Sequence, residues 1–107
     1  MNTKLSKLKL RVVWCKNFLG LAINQLNSNG EYFLTRYYFW PKTEAWEQLK
    51  LELDTKLWLT SEEKVEILKI SSDAMKYWLL YRNTKTVEKF KTDFPKLEII
   101  NGSYIGL

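Results

Sequence analysis

Tyr37-Tyr38-Phe39-Trp40-Pro41-Lys42-Thr43-Glu44-Ala45-Trp46-Glu47-Gln48-Leu49 reads as the end of a strand locked onto the start of a helix. Four consecutive aromatics suit a pleated, half-buried surface. Pro41, with no amide proton to give to a ladder, closes the strand at Trp40. Thr43 then stands where an N-cap hydroxyl can accept from the first orphan amides, and Glu44 and Glu47 sit where the helix dipole favours carboxylates. Strand alternation divides the aromatics into Tyr38 and Trp40 on one side and Tyr37 and Phe39 on the other. Tyr38 and Trp40, with Trp46, Trp58 and Trp78, are expected in the core. Tyr37 and Phe39 are then a candidate protein-contact surface, because aromatics are enriched at interface centres.

Upstream, residues 7–15 alternate, with Leu8, Leu10, Val12 and Trp14 pointing one way and Lys7, Lys9 and Arg11 the other. Residues 20–26 offer a second strand, and the turn cluster Asn27-Ser28-Asn29-Gly30 leads into a third over residues 32–40. Connections this short cannot make a parallel crossover, so an antiparallel meander is expected. Downstream, residues 43–56 carry Ala45, Trp46, Leu49 and Leu53 at helical spacing. Thr60 and Glu63 match a capping box that opens a second helix running to about Tyr81. Its apolar stripe is read as Val65, Leu68, Ser72, Met75 and Leu79, widened by Ile67, Ile70, Ala74 and Trp78.

The expected fold is therefore α+β: a three-stranded antiparallel β-sheet packed against two α-helices, with a short C-terminal extension. Residues 1–81 form the β-β-β-α-α domain and residues 82–107 the extension. Within the extension, residues 85–92 suit a short helix ended by Phe94-Pro95. Residues 97–100, the Asn101-Gly102 dipeptide and Tyr104-Ile105 suit a small hairpin.

At 107 residues, 46% hydrophobic with five Trp, six Tyr and five Phe, the chain has the material for one packed domain. No apolar run approaches the roughly 20 residues a bilayer span requires, so a soluble protein with no membrane partner is expected. Lysines interrupt every apolar block near the amino end, which argues against a secretory signal. Cys15 is the only cysteine and histidine is absent. No internal disulfide, zinc cluster of the usual ligands or imidazole-based triad can be built, and Cys15 reads as a small buried apolar group. The acidic groups of the two helices, such as Glu62, Glu63 and Glu66, read as a solvated face. No catalytic residue, metal, cofactor or small-molecule substrate is expected.

The formal charge of +5 is unevenly placed. Residues 1–16 hold five basic groups and no acid, whereas residues 43–81 hold five basic and eight acidic groups. Lys7, Lys9 and Arg11 at the two-residue repeat of a strand, about 6.6–6.8 Å, can follow a phosphate backbone. Lys4 and Lys16 extend that row, and Arg36 and Lys42 lie nearest the aromatic junction. From charge alone, an ordinary solvated face is equally compatible.

The aromatic junction, together with Asn24-Gln25 before it and Lys56-Leu57-Trp58-Leu59-Thr60-Ser61-Glu62-Glu63-Lys64-Val65-Glu66-Ile67-Leu68 after it, resembles the third plastid-specific ribosomal protein family of chloroplast and cyanobacterial small ribosomal subunits. The likeness runs from about Trp14 to about Trp78. Lys42 stands where arginine is expected and Leu57 where proline is usual, and the tail after Tyr81 has no evident counterpart. The resemblance implies a non-enzymatic, structural constituent of the small (30S) subunit, in the plastid stroma or in a cyanobacterial cytoplasm. Its implied partners are small-subunit ribosomal RNA and neighbouring ribosomal proteins. The RNA-facing set would be Lys4, Lys7, Lys9, Arg11, Lys16, Arg36 and Lys42. A protein interaction adaptor that binds no RNA is the alternative.

Overall fold

The structure is a computed structural model and describes residues 7–102. Its centre is the antiparallel pair β1 (Lys7–Trp14) and β2 (Leu19–Asn27), in register from Lys7 opposite Leu26 to Trp14 opposite Leu19. That register places Leu10, Val12 and Trp14 beside Ile23, Leu21 and Leu19 on one face, all buried. Helices α1 (Ala45–Asp54) and α2 (Ser61–Tyr81) cover this face and bury Ala45, Leu49, Leu53, Ile67, Leu68, Ala74 and Trp78 against it.

Among the described residues the sheet has five strands rather than three, in the order β3-β2-β1-β5, with β4 also paired to β2. The expected third strand is divided into β3 (Gly30–Phe33) and β4 (Tyr38–Trp40). Both pair with β2, but residues 34–37 lie opposite only Ala22 and Ile23, so two surplus residues must leave the ladder. Thr35 is the cause of the break. Its hydroxyl accepts from the Ile23 amide at 3.0 Å and donates to the Arg36 carbonyl at 2.8 Å, while the Leu34 and Thr35 amides both reach the Ile23 carbonyl. A buried side chain thus does the work of a strand neighbour.

The other added strand, β5 (Glu98–Asn101), pairs parallel with β1 from Arg11 opposite Glu98 to Trp14 opposite Asn101. A long crossover through α2 and a third helix, α3 (Val87–Asp93), makes that parallel return possible. Phe90 of α3 is fully buried against Trp14 at 4.7 Å between ring centroids, and Tyr77 and Phe94 flank it at 5.2 and 5.0 Å. Tyr104 and Ile105, the far arm of the expected hairpin, lie outside the described residues.

The capping box of α2 is present as read, with Thr60 and Glu63 exchanging bonds to each other's amides at 3.0 and 2.8 Å. The start of α1 differs. Its N-cap is Glu44 with no side-chain capping bond, and the Thr43 hydroxyl donates backwards to the Phe39 carbonyl, tying the turn to β4. The buried stripe of α2 is Ile67, Leu68, Ser71, Ala74 and Trp78, whereas Val65 and Leu79 are exposed. Trp58 is also 56% exposed, because the residues linking α1 and α2 bury only Leu59 at full depth. Among the described residues, no helix is long and apolar enough to cross a membrane.

Candidate nucleic-acid and protein interface

The helices cover one side of the sheet, so Lys7, Lys9, Arg11, Asn24 and Phe39, which occupy the alternate positions of β1, β2 and β4, face outward. There Lys9 and Arg11 are not free cations. Lys9 Nζ lies 2.6 Å from Glu98 and 3.3 Å from Glu31, and Arg11 reaches both carboxylates at 3.3 Å. β1 thus grips β5 through Glu98 on one side and β3 through Glu31 on the other. The Asn24 amide donates to Glu31 at 2.6 Å, and this bond, followed by those from Lys9 and Arg11, holds the Glu31 carboxyl below its usual range. The bond to Glu98 comes first among the contacts that raise the Lys9 ammonium above its ordinary value. The Asn24 amide oxygen is buried without a hydrogen-bond partner among the described residues.

Arg11 also joins this cluster to the aromatics. Its Nε donates to the Tyr37 hydroxyl at 3.1 Å, and its guanidinium lies 5.9 Å from the centre of the exposed Phe33 ring. Tyr37 stacks on Phe39 at 6.2 Å, and Phe39 meets Phe18 edge-on at 5.4 Å. The expected alternation therefore holds: Tyr37 and Phe39 share the outer face, half-buried, while Trp40 packs inward against Trp78 at 5.6 Å and Tyr38 bonds Glu52 of α1. Gly20 makes this arrangement possible. A Cβ there would stand 2.7 Å from the Phe39 ring, so only a bare backbone lets the ring lie on the strand.

The rest of the predicted basic set is dispersed. Lys7 is exposed at the start of β1, Arg36 lies in the β3–β4 break, Lys42 follows Pro41, and Lys16 sits in the β1–β2 turn. No carboxylate of the described residues lies within ion-pair distance of these four. Lys4 lies outside the described residues. Glu31 and Glu98 escaped the sequence reading because the register that brings them to β1 spans 22 positions in one case and a parallel return in the other. Cys15 is buried and its thiol is pushed up by that burial, which disfavours the thiolate. Cations, amides and aromatic rings make an arrangement suited to binding.

The matches to known proteins agree with that character. Residues 34–80 match the model of the plastid and cyanobacterial ribosomal protein family PSRP-3/Ycf65. The small ribosomal subunit protein cS23 of Gracilaria tenuistipitata var. liui is 33% identical over 90% of this chain and 97% of that protein. The corresponding protein of Cyanidium caldarium is 38% identical over 90% of this chain and 96% of its own length. A probable cS23 of Synechococcus sp. (strain JA-3-3Ab) is 33% identical over 87% and 94%. These alignments cover 87–90% of the chain, so at least part of the tail after Tyr81 has a counterpart in relatives. The chain belongs to the plastid and cyanobacterial ribosomal protein family PSRP-3/Ycf65.

Proposed function

We propose that this protein is a structural constituent of the small ribosomal subunit of a plastid or cyanobacterial-type ribosome, held there by ribosomal RNA and by neighbouring ribosomal proteins. The observation that carries the reading is the near full-length similarity to proteins named small ribosomal subunit protein cS23. It is not an enzyme. Its contribution is binding free energy that holds local subunit geometry in place.

RNA contact falls to the basic set. Lys7, Lys16, Arg36 and Lys42, exposed and without a carboxylate partner among the described residues, are its readily available members, and Lys4 belongs to the same amino-terminal group. Lys9 and Arg11 contribute by exchanging carboxylate for phosphate oxygen. Tyr37 and Phe39, rigid and half-buried, offer an aromatic anchor for a protein neighbour.

Sedimentation of a native lysate through gradients of rising monovalent salt tests this reading. Association through several phosphates is steeply salt-dependent, so the protein should travel with small subunits and leave them as salt rises. The variant Lys7→Glu/Arg36→Glu/Lys42→Glu, which spares the ion-paired cluster, should leave at lower salt. Retention of that variant through the parent's salt range would overturn the RNA assignment, and a free peak for the parent under gentle conditions would overturn subunit membership.

A further inference from the structure

A second polar surface lies at the far end of the sheet, where the β1–β2 turn approaches the link between α2 and α3. A cleft of about 590 Å³ opens there, with Cys15 and Lys16 on one wall and Arg82, Asn83 and Thr86 on the other. The two walls are tied through Trp78. Its indole N–H donates to the Cys15 carbonyl at 2.7 Å, and its ring carries the Arg82 guanidinium 4.8 Å from the centroid. Arg82 is thereby held in place by stacking rather than by a carboxylate. Neither it nor Lys16 has an ion-pair partner among the described residues.

We infer that this cleft is a binding notch for the RNA backbone, in which Lys16 and Arg82 take phosphate oxygens and Asn83 and Thr86 supply neutral polar contacts to phosphate or ribose. The inference deepens the RNA-binding reading proposed above and rests on it. A guanidinium stacked on an aromatic face keeps its in-plane N–H groups available, and a planar fork of donors suits two phosphate oxygens at once. Lys16 adds a flexible point charge from the opposite wall. Among the described residues Glu88 is the sole acid on the lining, against Lys16 and Arg82, so these side chains sum to a positive charge. Arg82 falls outside the basic set read from sequence, since 65 intervening residues separate it from Lys16.

Filter binding of the full chain to a transcript of small-subunit ribosomal RNA, across a chloride series, tests the notch with Lys16→Gln, Arg82→Gln, the double variant and Arg82→Lys. Each phosphate contact contributes about 0.7 to 0.9 to the slope of log affinity against log salt, so the double variant should be shallower than the parent by about 1.4 to 1.8, and each Gln variant by about half of that. Arg82→Lys should keep the slope and lose affinity severalfold, because charge survives and the fork does not. Lys16 is exposed and makes no ion pair among the described residues, so Lys16→Gln keeps the test sound even if Arg82→Gln lowers stability.

An unchanged slope in Lys16→Gln and the double variant, with the parent binding normally, overturns the notch and leaves the RNA reading standing. A parent that shows no salt-dependent affinity for the transcript overturns both. Replacing chloride by inorganic phosphate at equal ionic strength should weaken the parent more than the double variant, because free phosphate competes for the same two cations; equal weakening of both would overturn the notch.

Discussion

Trp78 donates its indole N–H to the main-chain carbonyl of Cys15 across 2.7 Å, joining positions 63 residues apart. The bond fastens the C-terminal turn of α2 to the end of β1, where the chain leaves the sheet. Trp40 meets the same indole edge-on, so the aromatic junction between β4 and α1 is anchored to the same point. A buried carbonyl without a partner costs about 1–3 kcal/mol. Trp78→Phe keeps a ring but removes the donor, so we expect at least that loss of stability in urea denaturation, with the unfolding slope unchanged. A variant as stable as the parent would mean the carbonyl does not depend on Trp78.

Close approach at the other side of the same turn gives a second prediction. A Cβ on Gly102 would lie 2.2 Å from the Cys15 Sγ and 3.1 Å from the Trp14 carbonyl oxygen. Gly102→Ala should therefore destabilise the protein by roughly 1–3 kcal/mol, the usual range for overpacking. In the double variant Cys15→Ala/Gly102→Ala the sulfur is gone, so the measured loss should be smaller than the sum of the single losses. Strict additivity in thermal unfolding would refute the contact.

At the start of α2, Thr60 and Glu63 satisfy each other's backbone amides, both at the exposed surface. Thr60→Ala should cost about 1 kcal/mol, the ordinary value of an N-cap hydroxyl. Adding Glu63→Ala should cost about a further 0.5–1 kcal/mol in urea denaturation, because its carboxylate holds the backbone amide of residue 60, which the first change leaves in place. The corresponding Thr43→Ala change should not behave as a lost N-cap, since that hydroxyl faces the Phe39 carbonyl instead.

Tyr77 and Asp93 predict the shape of the pH profile. Burial, followed by the hydrogen bond to Asp93, pushes the Tyr77 phenol up to about 12, while that bond, followed by Lys89, holds the Asp93 carboxyl below its ordinary range. Raising a pKa on folding stabilises the fold below the unfolded value, about 10 for tyrosine, and that stability is lost as pH rises towards 12. The depressed Asp93 acts at the opposite limit: its stabilisation is present above the ordinary carboxylate range and is lost as pH falls through the folded value. Ultraviolet titration should show a tyrosine step at about 12 that Tyr77→Phe removes, distinct from Tyr38, whose phenol is raised by its own hydrogen bond to Glu52. Loss of a different tyrosine's transition would contradict the assignment.

Much of the fold was legible because it depends on neighbours in sequence. The alternation of Leu8, Leu10, Val12 and Trp14, the closure of a strand at Pro41 and the Thr60–Glu63 box are short-range patterns that hold whatever the rest of the chain does. The split between Tyr37 with Phe39 and Tyr38 with Trp40 belongs to the same class, since period two alone separates the faces. The family, too, was readable from an ordered series of residues around that junction. Tertiary structure decided what depends on distant partners. Thr35 breaks the third strand because its hydroxyl meets Ile23, β5 enters the sheet because a helical crossover returns it beside β1, and Lys9 and Arg11 are engaged by Glu31 and Glu98 through strand register. A linear charge count sees five amino-terminal cations and no acid; only pairing across strands shows which of them already hold a carboxylate, because a Coulomb contact is set by distance in space rather than separation along the chain.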